Sequence, residues 1–264
     1  MAKNFSLIDI GANLTHDQLL KNIHAVIDNF KKVHVENVII TSSNTTDTEK
    51  ALDLIEKFPN LFYTTVGFHP HNAKNFKEKD LESIETLAKN PHVISIGECG
   101  LDYYREYSPK NQQIVCFEKQ LSLNTKLNLP LFLHERGAHN DFCSLLKKYI
   151  DRIDNTVVHC FTGTKQELLQ YLDMGCYIGI TGWITDMDRG SHLHEIIQYI
   201  PEDRLLVETD SPYLIPKNMN GNRKTTNEPA YLPYVVEEIA NCLNKDVKYI
   251  SNKTFENTKK FFQI

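Results

Sequence analysis

Short runs of apolar residues, rich in β-branched and aromatic side chains, recur along the chain. Each run precedes a longer stretch in which apolar residues return with the spacing of an amphipathic helix. This alternation predicts repeated strand and helix units. The predicted strands span residues 5–10, 37–41, 63–67, 93–97, 131–134, 156–159, 177–181 and 205–208. The predicted helices span residues 17–33, 47–57, 80–89, 110–127, 140–150, 165–174, 193–199, 232–243 and 247–262.

The predicted strands are apolar almost throughout, not only at every second position. Such strands are typical of parallel sheets that helices cover on both faces. Eight of them with helices between favour an α/β fold closed into a (β/α)8 TIM barrel over an open sheet. The length of 264 residues suits one barrel, and no linker, low-complexity tract or repeat marks a boundary. We therefore expect a single domain over residues 1–264.

Composition and charge narrow the possible functions. With 41% hydrophobic and 24% charged residues, the chain resembles an ordinary globular protein. Its 29 basic and 34 acidic residues leave a formal net charge of −5. No general positive field therefore attracts nucleic acid, and a polyanion would have to be bound locally.

The cysteines and the start of the chain indicate the compartment. Six cysteines are scattered without a Cys-x-x-Cys pair, which favours reduced thiols. Residues 1–14 are too polar for a signal peptide, and no run approaches the roughly 18 apolar residues of a membrane-spanning helix. We expect a cytoplasmic protein, or a nuclear one if the source is eukaryotic, without membrane contact and as a monomer.

Ionisable residues cluster at the predicted ends of the strands. In a (β/α)8 barrel the carboxyl ends of all strands meet at one mouth, where activity resides. The residues at or shortly after these ends are Asp9, His69, Glu98, His134, His159 and Asp210. We therefore expect these side chains to gather at one place.

Four of these residues form a set suited to a metal ion. Taken singly, Glu98 could be a loop carboxylate, and His134 or His159 a hydrogen-bonded neutral histidine. Together with Asp210 they offer nitrogen and oxygen ligands of the kind that Zn²⁺, Mn²⁺ or a similar divalent ion binds. Glu208 lies two positions before Asp210, on the same face if the strand persists, and we expect it to support Asp210 from behind.

Seven motifs are distributed over nearly the whole chain in a fixed order. They are Gly-Phe-His-Pro-His at 67–71, Ile-Gly-Glu-Cys-Gly-Leu-Asp at 96–102, His-Glu-Arg at 134–136, His-Cys-Phe-Thr-Gly at 159–163, Gly-Ile-Thr-Gly-Trp at 179–183, Glu-Thr-Asp-Ser-Pro-Tyr-Leu at 208–214 and Asn-Glu-Pro at 227–229. Their order closely resembles that of the TatD-type deoxyribonucleases. Seven motifs in order are a specific signal, whereas His-Pro-His alone would mean little.

The resemblance implies a metal-dependent hydrolase with an amidohydrolase-like barrel. The positions that match the family's metal ligands are Glu98, His134, His159 and Asp210. His69 and Asp102 match nearby active-site positions, so the predicted catalytic residues are Asp210, Glu98, His69 and Asp102. The expected cofactor is one or two divalent ions per chain, with Mg²⁺ preferred and Mn²⁺ or Zn²⁺ as alternatives.

Several further residues are candidates for phosphate binding. Arg136 offers the planar guanidinium that phosphate favours, with a surface arginine as the alternative. His71 belongs to the same predicted set. Arg223 and Lys224, with Lys217, form a basic loop after the last strand, where barrel enzymes often hold phosphate; a solvated charged loop is the alternative.

Two departures from the family pattern bear on the site. Many relatives carry His-x-His after the first strand, whereas this chain has Gly-Ala-Asn at 11–13. The TatD branch of the family resembles this chain there, so the departure indicates that branch, and it puts a second tightly held metal in doubt. We expect Asn13 to lie behind the ligands. Thr225 and Thr226 stand where relatives often have arginine.

The predicted reaction is hydrolysis by water, because the chain has no Gly-x-Ser-x-Gly nucleophile motif. A metal ion would acidify the water, Asp210 would take the proton and Glu98 would hold the ion. The resemblance implies an exonuclease on single-stranded or nicked DNA, and also on RNA, in DNA repair or fragmentation. Five aromatic side chains could stack on bases. They are Phe68, Tyr103, Tyr104, Phe161 and Trp183.

Two other functions are compatible with the residues. The same barrel and ligands would serve a metal-dependent amidohydrolase or deacylase that acts on a small molecule or an aminoacyl ester, because a fold does not determine a substrate. A non-catalytic barrel that binds nucleic acid is the other alternative. The absent histidines at 11–13 support it, and the retained set of metal-binding residues opposes it.

Overall fold

The computed structural model describes residues 5–219 and 225–264, and it contains all eight predicted strands. They are β1 (Leu7–Ala12), β2 (Val35–Ile40), β3 (Phe62–Val66), β4 (Val93–Asp102), β5 (Leu131–Arg136), β6 (Thr156–Val158), β7 (Tyr177–Ile180) and β8 (Leu205–Val207). The hydrophobic pattern located every strand because these segments are buried on both faces.

The α-helices of the described residues fall between the strands and after the last one. They are α1 (Asp17–Leu20), α2 (Ile23–Lys32), α3 (Thr45–Lys57), α4 (Lys79–Leu87), α5 (Lys110–Leu127), α6 (His139–Lys147), α7 (Lys165–Asp173), α8 (Ser191–Ile196), α9 (Leu232–Leu243) and α10 (Val247–Phe262). The first predicted helix is split into α1 and α2, because Asn22 has a non-helical backbone and asparagine favours turns over helix interiors.

The strands form one sheet whose order follows the chain from β1 to β8. The pairs β1–β2, β3–β4, β4–β5, β5–β6 and β7–β8 are all parallel. Ala12 in β1 also bridges to Ser211, just after β8, in parallel fashion, so the first and last strands are neighbours. Parallel strands in chain order that return to the first strand, with helices between them, define a (β/α)8 barrel.

The chain comprises two compact units. The first contains the segment that ends at Ile40, Cys160–Leu169 and Ile178–Ile264. Within it, β1 pairs with β2 and β7 pairs with β8, while α10 packs against β1 and β8. The core of this unit is aliphatic along β1, β2 and β8 and aromatic on α10, where Phe261 is fully buried.

The second unit contains Thr41–His159 and Gln170–Tyr177. Its strands run in the order β3, β4, β5 and β6. Under them, the rings of Phe117 and Phe142 stack with centroids 5.2 Å apart. Both rings are fully buried, as is that of Tyr171. The expectation of a single domain stays a prediction.

The positions of three ionisable residues relative to the strands differ from the prediction. Asp9 lies in the middle of β1, and Glu98 lies within β4 instead of directly after it. β4 is longer than predicted because its pairing with β5 continues to Asp102 opposite Arg136. β8 ends at Val207, and Asp210 has a φ of 52°. The strand therefore does not persist to Glu208 and Asp210, and the condition under which their side chains were expected to share one face is not met.

Among the described residues, no helix is long and apolar enough to cross a membrane. All six cysteines are free thiols, as the absence of a Cys-x-x-Cys pair indicated.

Candidate metal centre

Four side chains of the second unit converge, and we call them the histidine cluster. They are His69, Glu98, His134 and His159. Glu98 projects from β4 and His134 from β5, while His159 directly follows β6. His69 lies three residues after β3, and its Nδ1 accepts a hydrogen bond from the His71 N–H at 3.0 Å, which orients the ring.

A single carboxylate oxygen lies at the centre of the histidine cluster. Oε1 of Glu98 is 3.1 Å from Nε2 of His69, 2.9 Å from Nδ1 of His134 and 2.8 Å from Nε2 of His159. Nδ1 of His134 is also 3.3 Å from Nε2 of His159. Three imidazoles thus direct one ring nitrogen each at the same small volume as the carboxylate.

The protonation states in the cluster suit a cation. Burial alone would raise the pKa of Glu98, but the His159 and His69 imidazoles hold it well below its ordinary value. Burial lowers the pKa of His69 to about 4. The anionic carboxylate and the neutral imidazole are the forms in which these side chains bind metals.

His134 differs from its neighbours. Its burial would lower its pKa, yet the carboxylates of Asp102 and Glu98 raise it above the ordinary value. Its Nε2 is buried and has no hydrogen-bond partner within 5–219 and 225–264; the nearest acidic oxygen, Oδ2 of Asp102, is 3.5 Å away. A cation next to His134 would replace the proton that these carboxylates favour.

The donor set fits a divalent ion. The ligand atoms of His69, Glu98 and His134 all lie within 4.8 Å of one another, and Nε2 of His159 adjoins two of them. Glu98 is only 7% exposed, and a buried carboxylate needs positive charge nearby. The structure therefore brings His69, which the sequence placed only near the predicted ligands, into the group of side chains that could hold an ion.

Asp102 lies beside the histidine cluster and is almost fully buried. Its Oδ1 accepts hydrogen bonds from the N–H groups of Tyr104 (2.9 Å) and Arg105 (2.8 Å). Its Oδ2 is 2.7 Å from Nε2 of His71. Burial would raise the pKa of Asp102, but the His134 and His71 imidazoles and these N–H groups hold it far below its ordinary value. Asp102 is thus an anion that orients two imidazoles.

Arg136 lies at the carboxyl end of β5, where the sequence predicted a phosphate-binding group. Its guanidinium carbon is 4.2 Å from the ring centroid of Tyr104, and that ring is 67% exposed. A guanidinium on an exposed ring offers a charge for phosphate and a flat surface for a base. The hydroxyl of Tyr103 instead donates to Asp141 at 2.8 Å.

Two buried glutamines hold the backbone of the site, and neither was predicted from the sequence. Gln120 accepts from the Phe68 N–H at 2.7 Å and donates to the Phe68 carbonyl at 3.1 Å, which positions the residue before His69. Gln113 accepts from the Asp102 N–H at 2.8 Å and donates to the Asp102 carbonyl at 3.0 Å. Both lie on α5. In the sequence they could have been noticed as polar residues on a helix face that is otherwise apolar.

Glycines explain the close approach of β4 and β5. A Cβ on Gly100 would lie 1.9 Å from the carbonyl oxygen of His134, and one on Gly97 would lie 2.3 Å from that of Phe132. Both glycines also have a positive φ. Only glycine permits this backbone geometry, so the Gly-Glu-Cys-Gly motif places Glu98 beside His134.

The remaining predicted residues belong to the first unit. Nδ2 of Asn13 donates to Oδ1 of Asp210 at 3.3 Å and to the Ser211 carbonyl at 3.2 Å, so Asn13 holds the Asp210 side chain. Glu208 is fully buried, and its Oε1 accepts the Cys160 N–H at 2.5 Å. The roles of Asp210 and Glu208 at a metal stay predictions.

The predicted basic loop is described only in part. Lys217 is exposed, and its N–H donates to Oγ1 of Thr185 at 2.7 Å. Arg223 and Lys224 lie outside the described residues. Of the aromatic candidates, Phe68 and Phe161 are buried and pack in the interior. Trp183 is partly exposed, and the guanidinium carbon of Arg189 lies 4.4 Å from its ring centroid.

The chain matches one family model and several curated proteins over nearly its whole length. The model of the TatD-related DNases matches residues 8–263. A protein of Edwardsiella piscicida named 3'-5' ssDNA/RNA exonuclease TatD is 39% identical over 98% of this chain and 100% of its own. A protein of Yersinia pseudotuberculosis with the same name is 40% identical over the same shares.

A solved structure gives the same result for the fold. The crystal structure of a TatD family hydrolase from Entamoeba histolytica superimposes with a TM-score of 0.89 at 28% identity, over 98% of each chain. The (β/α)8 class and the metal-dependent hydrolase type predicted from the sequence are confirmed.

Proposed function

The chain belongs to the family of TatD-related DNases, and from this membership we propose that it is a metal-dependent 3'-5' exonuclease that hydrolyses phosphodiester bonds in single-stranded DNA or RNA. The observation that carries the proposal is the convergence of three imidazoles on Oε1 of Glu98. The curated relatives are named for this activity and align over their full length. A role in DNA repair or fragmentation is part of the proposal.

The residues that would hold the ion are Glu98, His134, His159 and His69. When bound, a divalent ion supplies positive charge for a phosphoryl oxygen and acidifies a water molecule. Three imidazoles and one carboxylate suit Mn²⁺ or Zn²⁺ better than Mg²⁺, which prefers oxygen ligands. This donor set places Mn²⁺ and Zn²⁺ before Mg²⁺ in the expected order of metals. The proposal keeps one or two ions per chain. Asp210 stays the predicted further ligand and general base.

The other residues of the second unit have supporting roles. Asp102 fixes the orientation of His71 and His134, and a carboxylate behind a ligand histidine increases the basicity of that histidine. Arg136 and Tyr104 would bind the phosphate and base of a single strand. The net charge of −5 makes such local groups necessary, because the protein as a whole repels a polyanion.

The test is digestion of end-labelled single-stranded DNA and RNA by chelator-stripped protein. Mg²⁺, Mn²⁺ and Zn²⁺ are restored separately, and the label is placed on either end to give the polarity. We expect metal-dependent shortening from the 3' end, abolished in Glu98→Gln. Glu56→Gln is the matched control, because Glu56 is an exposed carboxylate on α3.

The results separate the proposal from its alternatives. Cleavage that persists in Glu98→Gln, with the fold intact, would contradict the proposed site. If the folded protein binds metal but cuts neither substrate, a deacylase is favoured, and release of acid from aminoacyl esters would identify it. Nucleic-acid binding without any hydrolysis would favour the non-catalytic barrel. Cytoplasmic location and a monomeric state also remain proposals.

A further inference from the structure

A second group of metal-binding side chains lies in the first unit, on α8 and α9. It comprises His194 on α8 and Glu238 and Cys242 on α9. None of these residues belongs to the motifs of the nuclease site. One ligand atom from each lies within 4.8 Å of the other two. We propose that His194, Glu238 and Cys242 bind a Zn²⁺ ion that ties α8 to α9.

The helical spacing brings two of the ligands together. Glu238 and Cys242 are four residues apart on α9, so their side chains lie on one face of the helix, one turn from each other. Two ligands at this spacing are a common half of a zinc site on a helix. His194 lies beside them on the neighbouring helix, with Nε2 of its ring 3.6 Å from Oε1 of Glu238.

The imidazole of His194 is held in a defined orientation. Its Nε2 is 2.7 Å from the Ile184 carbonyl oxygen, to which it donates. In that tautomer Nδ1 carries the lone pair that a metal ion needs, and a backbone carbonyl is a usual partner for the second nitrogen of a metal-bound histidine. A small rotation of the ring and of the Cys242 side chain would complete the group.

Asn218 provides an independent observation. Its Nδ2 donates to Oε2 of Glu238 at 3.2 Å and to the Tyr234 carbonyl at 3.0 Å. Its Oδ1 is buried and has no hydrogen-bond partner among the residues that the structure describes. A buried amide oxygen without a partner is costly. The amide is therefore anchored to Glu238 by its nitrogen, and its oxygen is available to a water or an ion.

The chemistry of the three ligands selects the metal. An imidazole, a carboxylate and a thiolate form a borderline-soft set that Zn²⁺ binds and Mg²⁺ does not. With His194 neutral, the two anions balance the charge of one divalent ion. Burial raises the pKa of the Cys242 thiol to about 11, so binding at neutral pH would displace its proton into water.

An ion can reach the group from solvent. Glu238 and Asn218 line a cavity of about 790 Å³, together with Lys217 and residues after β7. All three ligands are partly exposed. An entry path is required of a proposed metal site.

Cobalt substitution tests the site independently of catalysis. Co²⁺ replaces Zn²⁺ and gives a near-ultraviolet charge-transfer absorption only when a thiolate binds it. The histidine cluster contains no thiol, so this band reports the second site alone. Chelator-stripped protein is titrated with Co²⁺, and the same is done with Cys242→Ser, Glu238→Gln and His194→Gln.

We expect the band in the unaltered protein and its complete loss in Cys242→Ser. Glu238→Gln and His194→Gln should weaken Co²⁺ binding by more than about tenfold, since even residues that only orient a ligand have effects of this size. Cys143→Ser is the matched control: Cys143 also lies beside a histidine, with its Sγ 3.6 Å from Nε2 of His139, and its replacement should leave the band unchanged.

The proposal is overturned if the unaltered protein gives no band, or if the band persists in Cys242→Ser. Circular dichroism of the metal-free variants shows whether each is folded. If Cys242→Ser does not fold, Glu238→Gln still tests the site. Glu98→Gln should retain the band while losing nuclease activity. Failure of this proposal is therefore distinguishable from failure of the proposed nuclease.

Discussion

Oδ2 of Asp102 lies 2.7 Å from Nε2 of His71, and the same oxygen lies 3.5 Å from Nε2 of His134. Asp102 thus lies behind a histidine that touches Glu98, with its other oxygen held by two backbone N–H groups. A carboxylate in this place makes the imidazole a better ligand and fixes its ring. His71, which the sequence suggested for phosphate, shares this carboxylate.

Asp102→Asn should weaken metal binding and activity together. The amide is nearly isosteric, but it removes the negative charge next to His134, and the expected loss in metal affinity is about 10- to 100-fold. The measurement is a metal titration by calorimetry, followed by turnover at saturating metal. His71→Gln is the matched variant, because it removes the other partner of Asp102. If Asp102→Asn binds metal as tightly as the unaltered protein, Asp102 does not orient a ligand.

The stacked pair of Arg136 and Tyr104 should bind substrate without taking part in the chemical step. Tyr104→Ala removes an exposed ring on which a base could stack, at a cost of roughly 1 kcal/mol or more per base, which is at least about fivefold in affinity. We expect KM for single-stranded DNA to rise by that factor and kcat to change little. Arg136→Lys should raise KM as well, because lysine cannot bind phosphate through two parallel hydrogen bonds.

A second arginine and tyrosine pair provides the control for this prediction. The guanidinium of Arg152 lies 5.2 Å from the ring centroid of Tyr149, and both residues precede β6, at the amino ends of the strands. Tyr149→Ala should leave KM unchanged. Equal effects of Tyr104→Ala and Tyr149→Ala would mean that loss of stability, and not of substrate contact, explains the result.

Gly100→Ala should disrupt the site through the backbone. The new Cβ would lie 1.9 Å from the His134 carbonyl oxygen, at a φ of 146°, so β4 or β5 must move. The expected destabilisation is about 3 kcal/mol or more, with loss of metal binding. Gly175→Ala is the matched control, since Gly175 also has a positive φ (79°) but no atom within 4 Å of its Cβ position. It should cost about 1 to 2 kcal/mol and leave metal binding intact, as denaturant melts and a metal titration would show.

The hydrophobic pattern was sufficient to locate the strands of this fold. A strand that is buried on both faces appears in the sequence as a short apolar run, as at the start of Leu131–Arg136. Between such runs lie helices, in which apolar residues recur with a different period. Strand ends were less accurate. Glu98 lies inside β4, not after it, because two glycines let the strand continue next to β5, and a pattern of apolar residues stops at the first charge.

The candidate site was predicted in part, for a physical reason. Glu98, His134 and His159 were recognisable because an ionisable group directly after a buried apolar run needs a partner. Gln113 and Gln120 were not, because a glutamine on a helix is ordinary in sequence, and only the three-dimensional structure shows which backbone groups it holds. The side-chain directions of Glu208 and Asp210 depend on where β8 ends, which periodicity does not determine.

Asp9 connects β1 to the segment after β8. Its Oδ1 accepts the Thr209 N–H at 2.9 Å and the Gly11 N–H at 3.2 Å, and its Oδ2 accepts the Thr209 hydroxyl at 2.5 Å. Burial raises the pKa of Asp9 to about 7, and the charge of Glu208 adds to the rise, while the hydrogen bonds from Thr209 and Gly11 oppose it. The protonated acid is therefore favoured in the folded protein well above the pH at which an unfolded aspartate ionises.

This raised pKa makes the stability of the protein depend on pH. Between about pH 4 and pH 7 the folded state holds a proton that the unfolded state has released, so the free energy of unfolding falls as pH rises. The contribution is complete below the unfolded pKa and is lost as pH passes through about 7. Its upper limit is roughly 4 kcal/mol, because each unit of pKa shift is worth about 1.4 kcal/mol.

Asp9→Asn should remove this dependence, since an amide can donate to the Thr209 hydroxyl and accept from the two N–H groups without titrating. We expect the variant to gain stability relative to the unaltered protein between about pH 5 and about pH 7.5, in urea melts with chelator present. Asp17→Asn is the control for loss of a carboxylate elsewhere, because Asp17 is exposed on α1. Parallel profiles for Asp9→Asn and the unaltered protein would show that Asp9 is already ionised in the fold.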